Sequence, residues 1–106
     1  MTPQLNDERC SFKIGWFQDT LPEFVSKFLF DKPTVIHLDA DLYSSTLFVL
    51  IIIAPYLKRG DLLIFDEFYD CMHEFRAFYD FICSFTLDYE VVVAVGEFRK
   101  VAIKVI

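Results

Sequence analysis

Residues 35–43 read VIHLDADLY, a short apolar run that ends abruptly in two aspartates. Residues 62–68 read LLIFDEF and repeat this arrangement, with an aspartate and a glutamate after the apolar run. Apolar runs of this length between turn signals are typical of buried, parallel strands. Residues 44–57 are long enough for a crossover helix, so the sequence predicts a right-handed strand–helix–strand unit.

Both predicted strands end in acidic residues at the same edge of one sheet. Ligands bind at this carboxyl edge in open α/β sheets. We therefore expect Asp39 and Asp66 to be neighbours, with Asp41 and Glu67 close by. Converging carboxylates repel one another unless a cation or a proton lies between them. The pattern predicts an acid/base site or a site for a hard metal such as Mg²⁺, Ca²⁺ or Mn²⁺.

The composition restricts the class of protein. The chain has 106 residues, of which 55% are hydrophobic, and this favours one globular unit over a disordered chain. A net charge of −6 without a basic stripe argues against nucleic-acid binding. The uncharged apolar run at residues 47–56 is too short to span a membrane, and residues 1–9 lack the apolar core of a signal peptide. We therefore expect a cytoplasmic protein.

The three cysteines, Cys10, Cys71 and Cys83, have no CxxC spacing. An odd number without metal-ligand spacing makes a disulfide framework or a zinc site a poor interpretation. Reduced, partly buried thiols are expected instead.

Two further elements are predicted before the acidic stretch. Residues 11–15 alternate in polarity and indicate a short strand that stops at a glycine. Thr20 and Glu23 match the capping-box pattern, which predicts a helix from Thr20 to about Phe30.

The elements after the acidic stretch follow from similar signals. Ser44 or Ser45 is expected to cap the crossover helix. The predicted later elements are a helix at residues 69–85, strands at 91–96 and 101–106, and a hairpin connection at 97–100. A connection of this length predicts an antiparallel pair at the end of the chain.

The chain resembles the macrocin O-methyltransferase family, class I enzymes that use S-adenosylmethionine and modify sugars in antibiotic biosynthesis. The similar residues form three ordered blocks: GWFQDTLP at 15–22, HLDADLYSST at 37–46, and GD at 60–61 followed by IFDEF at 64–68. Their order and spacing agree over roughly residues 11–75. Three ordered blocks are a specific signal, whereas the Asp-x-Asp alone would not be.

The resemblance implies a metal site and a catalytic residue. It implies that Mg²⁺ is held by the acid after the fourth strand of the family and by a pair after the fifth, here Asp39, Asp66 and Glu67. The pair in the family is usually Asp-Asp or Asp-Asn, so Glu67 departs from the pattern. Asp41 resembles the residue proposed as the general base.

The resemblance also implies a cofactor, S-adenosylmethionine, and an acceptor that is a sugar or another small-molecule hydroxyl. Gly15, Trp16 and Phe17 fall in the loop that approaches the adenine ring. Leu38 and Asp39 lie beside the methionine part of the cofactor.

The fold implied is α/β: a partial Rossmann-like methyltransferase sheet, mostly parallel, with an antiparallel C-terminal hairpin and helices packed on the sheet. The family order is 3-2-1-4-5-7-6, and the chain would supply strands three to seven. Residues 1–106 are interpreted as a single partial domain that lacks the N-terminal glycine-rich cofactor-binding half and is inactive alone. Without strand one, the strand at residues 34–38 has an open edge. We expect that edge to self-associate or to pair with the missing half.

Two other functions remain open from the sequence. The Asp39-Ala40-Asp41 stretch at a strand end also matches a glycosyltransferase site that holds a metal and a nucleotide sugar. Alternatively, the acids are vestigial and the chain is a non-catalytic interaction module.

Overall fold

A computed structural model describes residues 4–69 and 72–106 of the chain. The helices are α1 (Phe17–Lys27), α2 (Tyr43–Ile53), which continues into a 3₁₀ turn (Ala54–Tyr56), and α3 (Glu74–Ser84). The strands are β1 (Val35–Leu38), β2 (Leu62–Phe65), β3 (Tyr89–Val95) and β4 (Lys100–Val105). The α/β class is therefore confirmed, with four strands in one mixed sheet.

The strands lie in the order β1-β2-β4-β3. β1 pairs in parallel with β2, and β4 runs antiparallel to both β2 and β3. Three strands therefore point one way and only β4 opposes them, as the predicted C-terminal hairpin requires. This sheet is consistent with a partial methyltransferase fold, but the described residues form four strands rather than the five predicted, because residues 11–15 form none.

One face of the sheet forms the hydrophobic core. Leu38, Phe65 and Val101 are neighbours across β1, β2 and β4, and all three are almost fully buried. The core also includes Leu50 of α2 and Phe81 of α3, so these helices cover this face. Side chains on the other face of the sheet alternate with the core residues and are exposed or half-buried.

Helix α2 is the centre of the helical layer. It packs against α1 on one side and against α3 on the other. Its residues are apolar nearly all round, which suits burial by two neighbours rather than one. Among the described residues, no helix is both long enough and apolar enough to cross a membrane.

The start of the chain differs from the prediction. Residues 11–15 do not form a strand, and α1 begins at Phe17 rather than after Thr20. The predicted capping box is therefore wrong. Thr20 lies inside the helix, where its hydroxyl donates a hydrogen bond to the carbonyl oxygen of Trp16 at 3.1 Å. That local bond competes with a capping role for the same side chain.

The later helices also differ from the prediction. Neither Ser44 nor Ser45 caps α2, whose N-cap residue is Leu42. α3 begins at Glu74 rather than at residue 69, and turns occupy the residues described before it. Residues 70 and 71, including Cys71, lie outside the described ranges. Cys10 and Cys83 are free thiols, but they are exposed rather than partly buried.

Candidate functional site

The acids that follow β1 and β2 meet at the carboxyl edge of the sheet. The backbone N–H of Asp66 donates to the carbonyl oxygen of Leu38 at 3.1 Å, which continues the parallel pairing by one residue. The carboxyl groups of Asp39 and Asp66 lie close enough to interact directly. Adjacent parallel strands thus bring together two acids that are far apart in sequence.

The carboxylate of Asp66 is paired with a cation supplied by β4. Because β4 runs antiparallel to β2, its first residue, Lys100, lies where β1 and β2 end. The Lys100 ammonium is 2.7 Å from Oδ1 of Asp66, and Nε2 of His37 is 3.4 Å from the same oxygen. The hydrogen bond from Lys100 holds the pKa of Asp66 below its usual range, and the same bond raises the pKa of Lys100.

The metal site implied by the resemblance does not form in this arrangement. In the described ranges, no group of three or more His, Cys, Asp or Glu side chains is placed to hold a metal ion. Asp66 is engaged by Lys100, and the side chain of Glu67 is exposed. The donor set therefore does not fit Mg²⁺ as it stands.

Asp41 lies at the centre of a tight turn between β1 and α2. The N–H of Leu42 donates to the carbonyl oxygen of Ala40 at 2.7 Å, which closes a three-residue γ-turn around Asp41. Asp41 has φ of 65°, a left-handed conformation that is uncommon for a residue other than glycine. Such strain costs free energy and persists only where surrounding contacts hold it.

Glu74, the first residue of α3, is a buried carboxylate beside both acidic turns. It is fully buried, and its Oε1 accepts a hydrogen bond from the backbone N–H of Glu67 at 2.9 Å. The backbone of Asp41 also faces this carboxylate. Burial raises the pKa of Glu74, and the charges of Asp41 and Asp39 act in the same direction. Glu74 therefore links the turn after β1 to the turn after β2.

A second link joins α3 to the start of α2. Nδ1 of His73 accepts a hydrogen bond from the backbone N–H of Tyr43 at 3.2 Å. His73 thus satisfies an N-terminal amide of α2 that no side chain at the N-cap position reaches. The Tyr43 hydroxyl donates to Oδ2 of Asp80 at 2.6 Å, and this hydrogen bond lowers the pKa of Asp80. These contacts fix the register of α2 and α3 next to the acidic edge.

A cavity of about 540 Å³ lies between the start of α1 and the carboxyl edge of β1. This volume is within the range of about 300–1,000 Å³ that small-molecule sites occupy. The cavity is lined by Gly15, Trp16, Phe17, Gln18, Asp39, Ala40, Ser44, Ser45 and Phe48. Four of the five residues predicted to bind the cofactor therefore share one cavity.

The remaining predicted residues lie elsewhere. The side chain of Leu38 is buried in the core, so only its backbone could face a ligand in this cavity. Asp41, Asp66 and Glu67 do not line the cavity. A cavity of similar size, about 550 Å³, lies between residues 11–14 and α1, away from the acids that end β1 and β2.

Gly15 has a local structural role at the cavity. Its φ is 141°, and a Cβ added there would lie 3.1 Å from Cγ2 of Thr20. A larger residue at this position would be strained by the positive φ and would require the Thr20 side chain to shift by a few tenths of an ångström.

Comparison with known proteins shows the family of the chain. The macrocin O-methyltransferase (TylF) family model matches residues 2–92. The chain is 38% identical over 80 residues to the 8-demethyl-8-(2,3-dimethoxy-alpha-L-rhamnosyl)-tetracenomycin-C 4'-O-methyltransferase of Streptomyces olivaceus. The aligned residues make up 71% of this chain and 29% of that protein. It is 35% identical over 82 residues to the demethyldecarbamoylnovobiocin O-methyltransferase of Streptomyces niveus, covering 72% of this chain and 30% of that protein. No solved structure gives a significant match.

A third relative, the mycinamicin III 3''-O-methyltransferase of Micromonospora griseorubida, is 32% identical over 77 residues, which are 68% of this chain and 29% of that protein. The chain belongs to the macrocin O-methyltransferase family. It spans about 30% of the length of the curated relatives that it matches.

Sequence reasoning did not identify three residues of this site: His73, Glu74 and Lys100. The predicted helix at residues 69–85 places His73 and Glu74 in its interior, so the sequence gives no reason to expect them at a helix start beside the acidic turns. Lys100 had a detectable signal, because an antiparallel final strand must begin at the edge where the parallel strands end.

Proposed function

We propose that this chain is part of an S-adenosylmethionine-dependent O-methyltransferase that acts on a hydroxyl group of a sugar or another small molecule. The cavity that joins the Gly15–Gln18 segment to the end of β1 carries this proposal. Family membership makes methyl transfer the expected chemistry. The three relatives are all named as O-methyltransferases, and this supports a hydroxyl as the acceptor.

The cavity supplies two features suited to the cofactor. Trp16 and Phe17 are exposed to 77% and 43% and offer aromatic faces on which an adenine ring can stack. Asp39 also lines the cavity, and its carboxylate can accept hydrogen bonds and attract a positively charged group. S-adenosylmethionine has both an adenine ring and a cationic methionine part.

We further propose that Asp41 is the general base. When bound, S-adenosylmethionine supplies an electrophilic methyl group. Asp41 would take the proton of the acceptor hydroxyl while the methyl group passes to that oxygen and its bond to the cofactor sulfur breaks, so that the neutral thioether leaves. The strained turn supports this role, because strained backbone is concentrated at functional sites. No step is assigned to Mg²⁺, because the acids do not fit it in this arrangement.

The chain alone is proposed to be insufficient for turnover. Its three glycines, Gly15, Gly60 and Gly96, are not clustered, so the 106 residues contain no glycine-rich turn for close approach to the cofactor. We propose that the open edge of β1 pairs with another copy or with further residues that complete the site. No strand in the described ranges pairs with this edge of β1.

Binding of the cofactor can be measured directly, because Trp16 is the sole tryptophan of the chain. Titration with S-adenosylmethionine should quench its fluorescence. Asp39→Asn should weaken binding about tenfold, because it removes one charge-assisted interaction. The matched control is Asp88→Asn, an exposed position outside the cavity. Equal affinities for both variants, or no binding by the wild-type chain in calorimetry, would reject the proposed cofactor site.

The same titration separates the other candidate functions. A glycosyltransferase would bind a nucleotide sugar in the presence of Mn²⁺, with a change in Trp16 fluorescence, and would not bind S-adenosylmethionine. A non-catalytic module would bind neither ligand, and its Trp16 fluorescence would not change. The cavity favours methyl transfer, because it combines the aromatic side chains of Trp16 and Phe17 with Asp39.

A further inference from the structure

The carboxyl edge carries a concentration of negative charge that needs a counter-charge. Asp39, Asp66 and Glu67 follow directly after β1 and β2, and the carboxyl groups of Asp39 and Asp66 approach each other. Two carboxylates in contact cannot both remain ionised without a nearby cation. Which cation fulfils this role decides whether the edge can bind a metal.

The cation in the structure is a side chain of the chain itself. The Lys100 ammonium lies 2.7 Å from Asp66, and it interacts with the charges of Asp39 and Glu67 as well. All three acids that the resemblance assigns to Mg²⁺ therefore act on one ammonium group. His37 reaches the same oxygen of Asp66 from β1 at 3.4 Å.

The backbone explains why Lys100 reaches this place. Val101 pairs with Phe65 across β4 and β2, so the preceding residue of β4 lies beside the residue that follows β2. The carbonyl oxygen of Arg99 accepts a hydrogen bond from the N–H of Phe68 at 2.7 Å, which fixes the start of β4 against the acidic turn. Lys100 is thus held at this edge by main-chain pairing rather than by its side chain alone.

Lys100 also lies outside the part of the chain that the family model matches. That match ends at residue 92, whereas the three acids lie within it. The acids therefore belong to the shared part of the chain, and the cation comes from the segment beyond it.

We propose that the ammonium of Lys100 takes the place of a divalent cation at the Asp39–Asp66–Glu67 edge, so that this chain does not bind Mg²⁺ there while Lys100 is present. The ammonium occupies Oδ1 of Asp66, and its positive charge repels a divalent cation from the neighbouring carboxylate oxygens. Removing the ammonium leaves uncompensated carboxylates, which are good ligands for hard cations. The inference concerns only the charge at this edge and does not depend on methyl transfer.

Titration of the full chain with Mn²⁺ and Mg²⁺ tests the proposal. Free Mn²⁺ is measured by electron paramagnetic resonance, and Mg²⁺ by calorimetry. Lys100→Gln is expected to bind Mn²⁺ at least about tenfold more tightly than the wild-type chain, because a like charge within a few ångströms is removed. Lys100→Arg keeps the charge and should resemble the wild type. Lys104→Gln, an exposed lysine further along β4, is the matched control and should also resemble the wild type.

A measurement on the wild-type chain does not depend on how the Lys100 variants fold. Lys100 should react more slowly than Lys104 with an amine-acylating reagent, as followed by peptide mass spectrometry, because its ammonium is held by Asp66. Asp66→Asn should remove this difference. Tight Mn²⁺ binding by the wild type with no gain in Lys100→Gln, or equal acylation of the two lysines, would overturn the proposal. Failure of cofactor binding would leave both readouts unchanged, so the two proposals can fail separately.

Discussion

Asp61 shows how one buried carboxylate joins two strands. It is fully buried, and its oxygens accept hydrogen bonds from the backbone N–H groups of Thr34 and Lys58 at 3.0 and 2.9 Å. The Lys58 ammonium lies 3.0 Å away. Burial by itself would raise the pKa of Asp61, but the hydrogen bonds from Lys58 and Thr34 outweigh it and lower the pKa. Asp61 thus anchors the amino ends of β1 and β2, opposite the candidate site.

Asp61 should contribute stability that acid removes. Its pKa in the folded chain lies below the unfolded value of 3.8, so the contribution is present above that value. It is lost as the pH falls through the folded-state pKa. We expect Asp61→Asn to lower the free energy of unfolding by about 1–3 kcal/mol at pH 7, and by less at pH 3. Urea denaturation at the two pH values measures this, with exposed Asp88→Asn as the control. An equal loss at both pH values would contradict the assignment.

Glu74 permits a sharper test, because shape and charge can be changed separately. Glu74→Ala should lower the free energy of unfolding by about 1–3 kcal/mol, since the N–H of Glu67 loses its acceptor. Glu74→Gln keeps an acceptor oxygen and removes a buried charge, so it should be less destabilising than alanine at pH 7.

The pH dependence of Glu74 has the opposite sign from that of Asp61. Its pKa is raised in the folded chain, so ionisation of the buried carboxyl costs stability as the pH rises above the unfolded value of 4.5. The difference between wild type and Glu74→Gln in thermal unfolding should therefore shift in favour of the glutamine as the pH rises from 4 towards 7. If the difference in thermal unfolding between wild type and Glu74→Gln does not depend on pH, the pKa of Glu74 is not raised. Exposed Glu90→Gln serves as the control.

At the scale of elements, the β3–β4 hairpin has an unusual connection. Gly96, Glu97 and Phe98 all have positive φ, of 61°, 58° and 68°. Two successive residues with side chains are therefore held in the left-handed region, which costs roughly 1–2 kcal/mol for each residue. The N–H of Arg99 donates to the carbonyl oxygen of Gly96 at 3.1 Å and closes the turn.

Glycine at position 97 should relieve part of this cost. We expect Glu97→Gly to raise the free energy of unfolding by up to about 1 kcal/mol, because glycine adopts positive φ without steric penalty. The matched control is Glu90→Gly within β3, which should lower stability by about 0.5–1 kcal/mol. Chemical denaturation of both variants measures the two changes in the free energy of unfolding, which are expected to have opposite signs. A loss of stability in Glu97→Gly would contradict the turn geometry.

The elements also show how far sequence reasoning reached. The runs ending at Leu38 and Phe65 identified two strands, their parallel pairing and the edge where Asp39 and Asp66 meet. These features follow from patterns within a few residues and from the handedness of the connection. Residues 11–15 had the alternation of a strand, but no described strand pairs with them.

The contacts that complete the site were not predictable from local patterns. His73 accepts from Tyr43, thirty residues earlier, so no cap signal near α2 could reveal it. Thr20 and Glu23 formed a convincing cap pattern, yet the helix starts three residues earlier than Thr20. The observed N-cap residue, Trp16, makes no side-chain cap hydrogen bond, so no local capping signal marks the start of α1, whereas Val25 of the same helix is buried in the core. Tertiary contacts therefore decided what the sequence left open.

At the scale of the whole molecule, the sheet leaves apolar surface open. Val35 on β1 is 60% exposed, and every residue of β3 is exposed at the other edge of the sheet. Among the described residues, β1 pairs only with β2 and β3 only with β4. Apolar strand edges of this kind invite pairing with another chain.

We expect the purified chain to self-associate through the β1 edge. Val35→Lys should reduce this association, because a lysine on an edge strand opposes pairing. Val92→Lys places the same change on the opposite edge strand and measures how much that edge contributes. Sedimentation equilibrium measures both variants. A wild-type chain that is monomeric at all concentrations would show that this edge does not pair with another copy.

The left-handed backbone at Asp41 determines which substitutions can probe its chemistry. Asparagine and glycine accept that conformation readily, whereas branched or bulky side chains would force the γ-turn to rearrange. A comparison of Asp41→Asn with Asp41→Val would therefore separate the loss of a proton acceptor from the collapse of a loop. Experiments that use only the bulkier replacement would confuse a broken scaffold with a missing base.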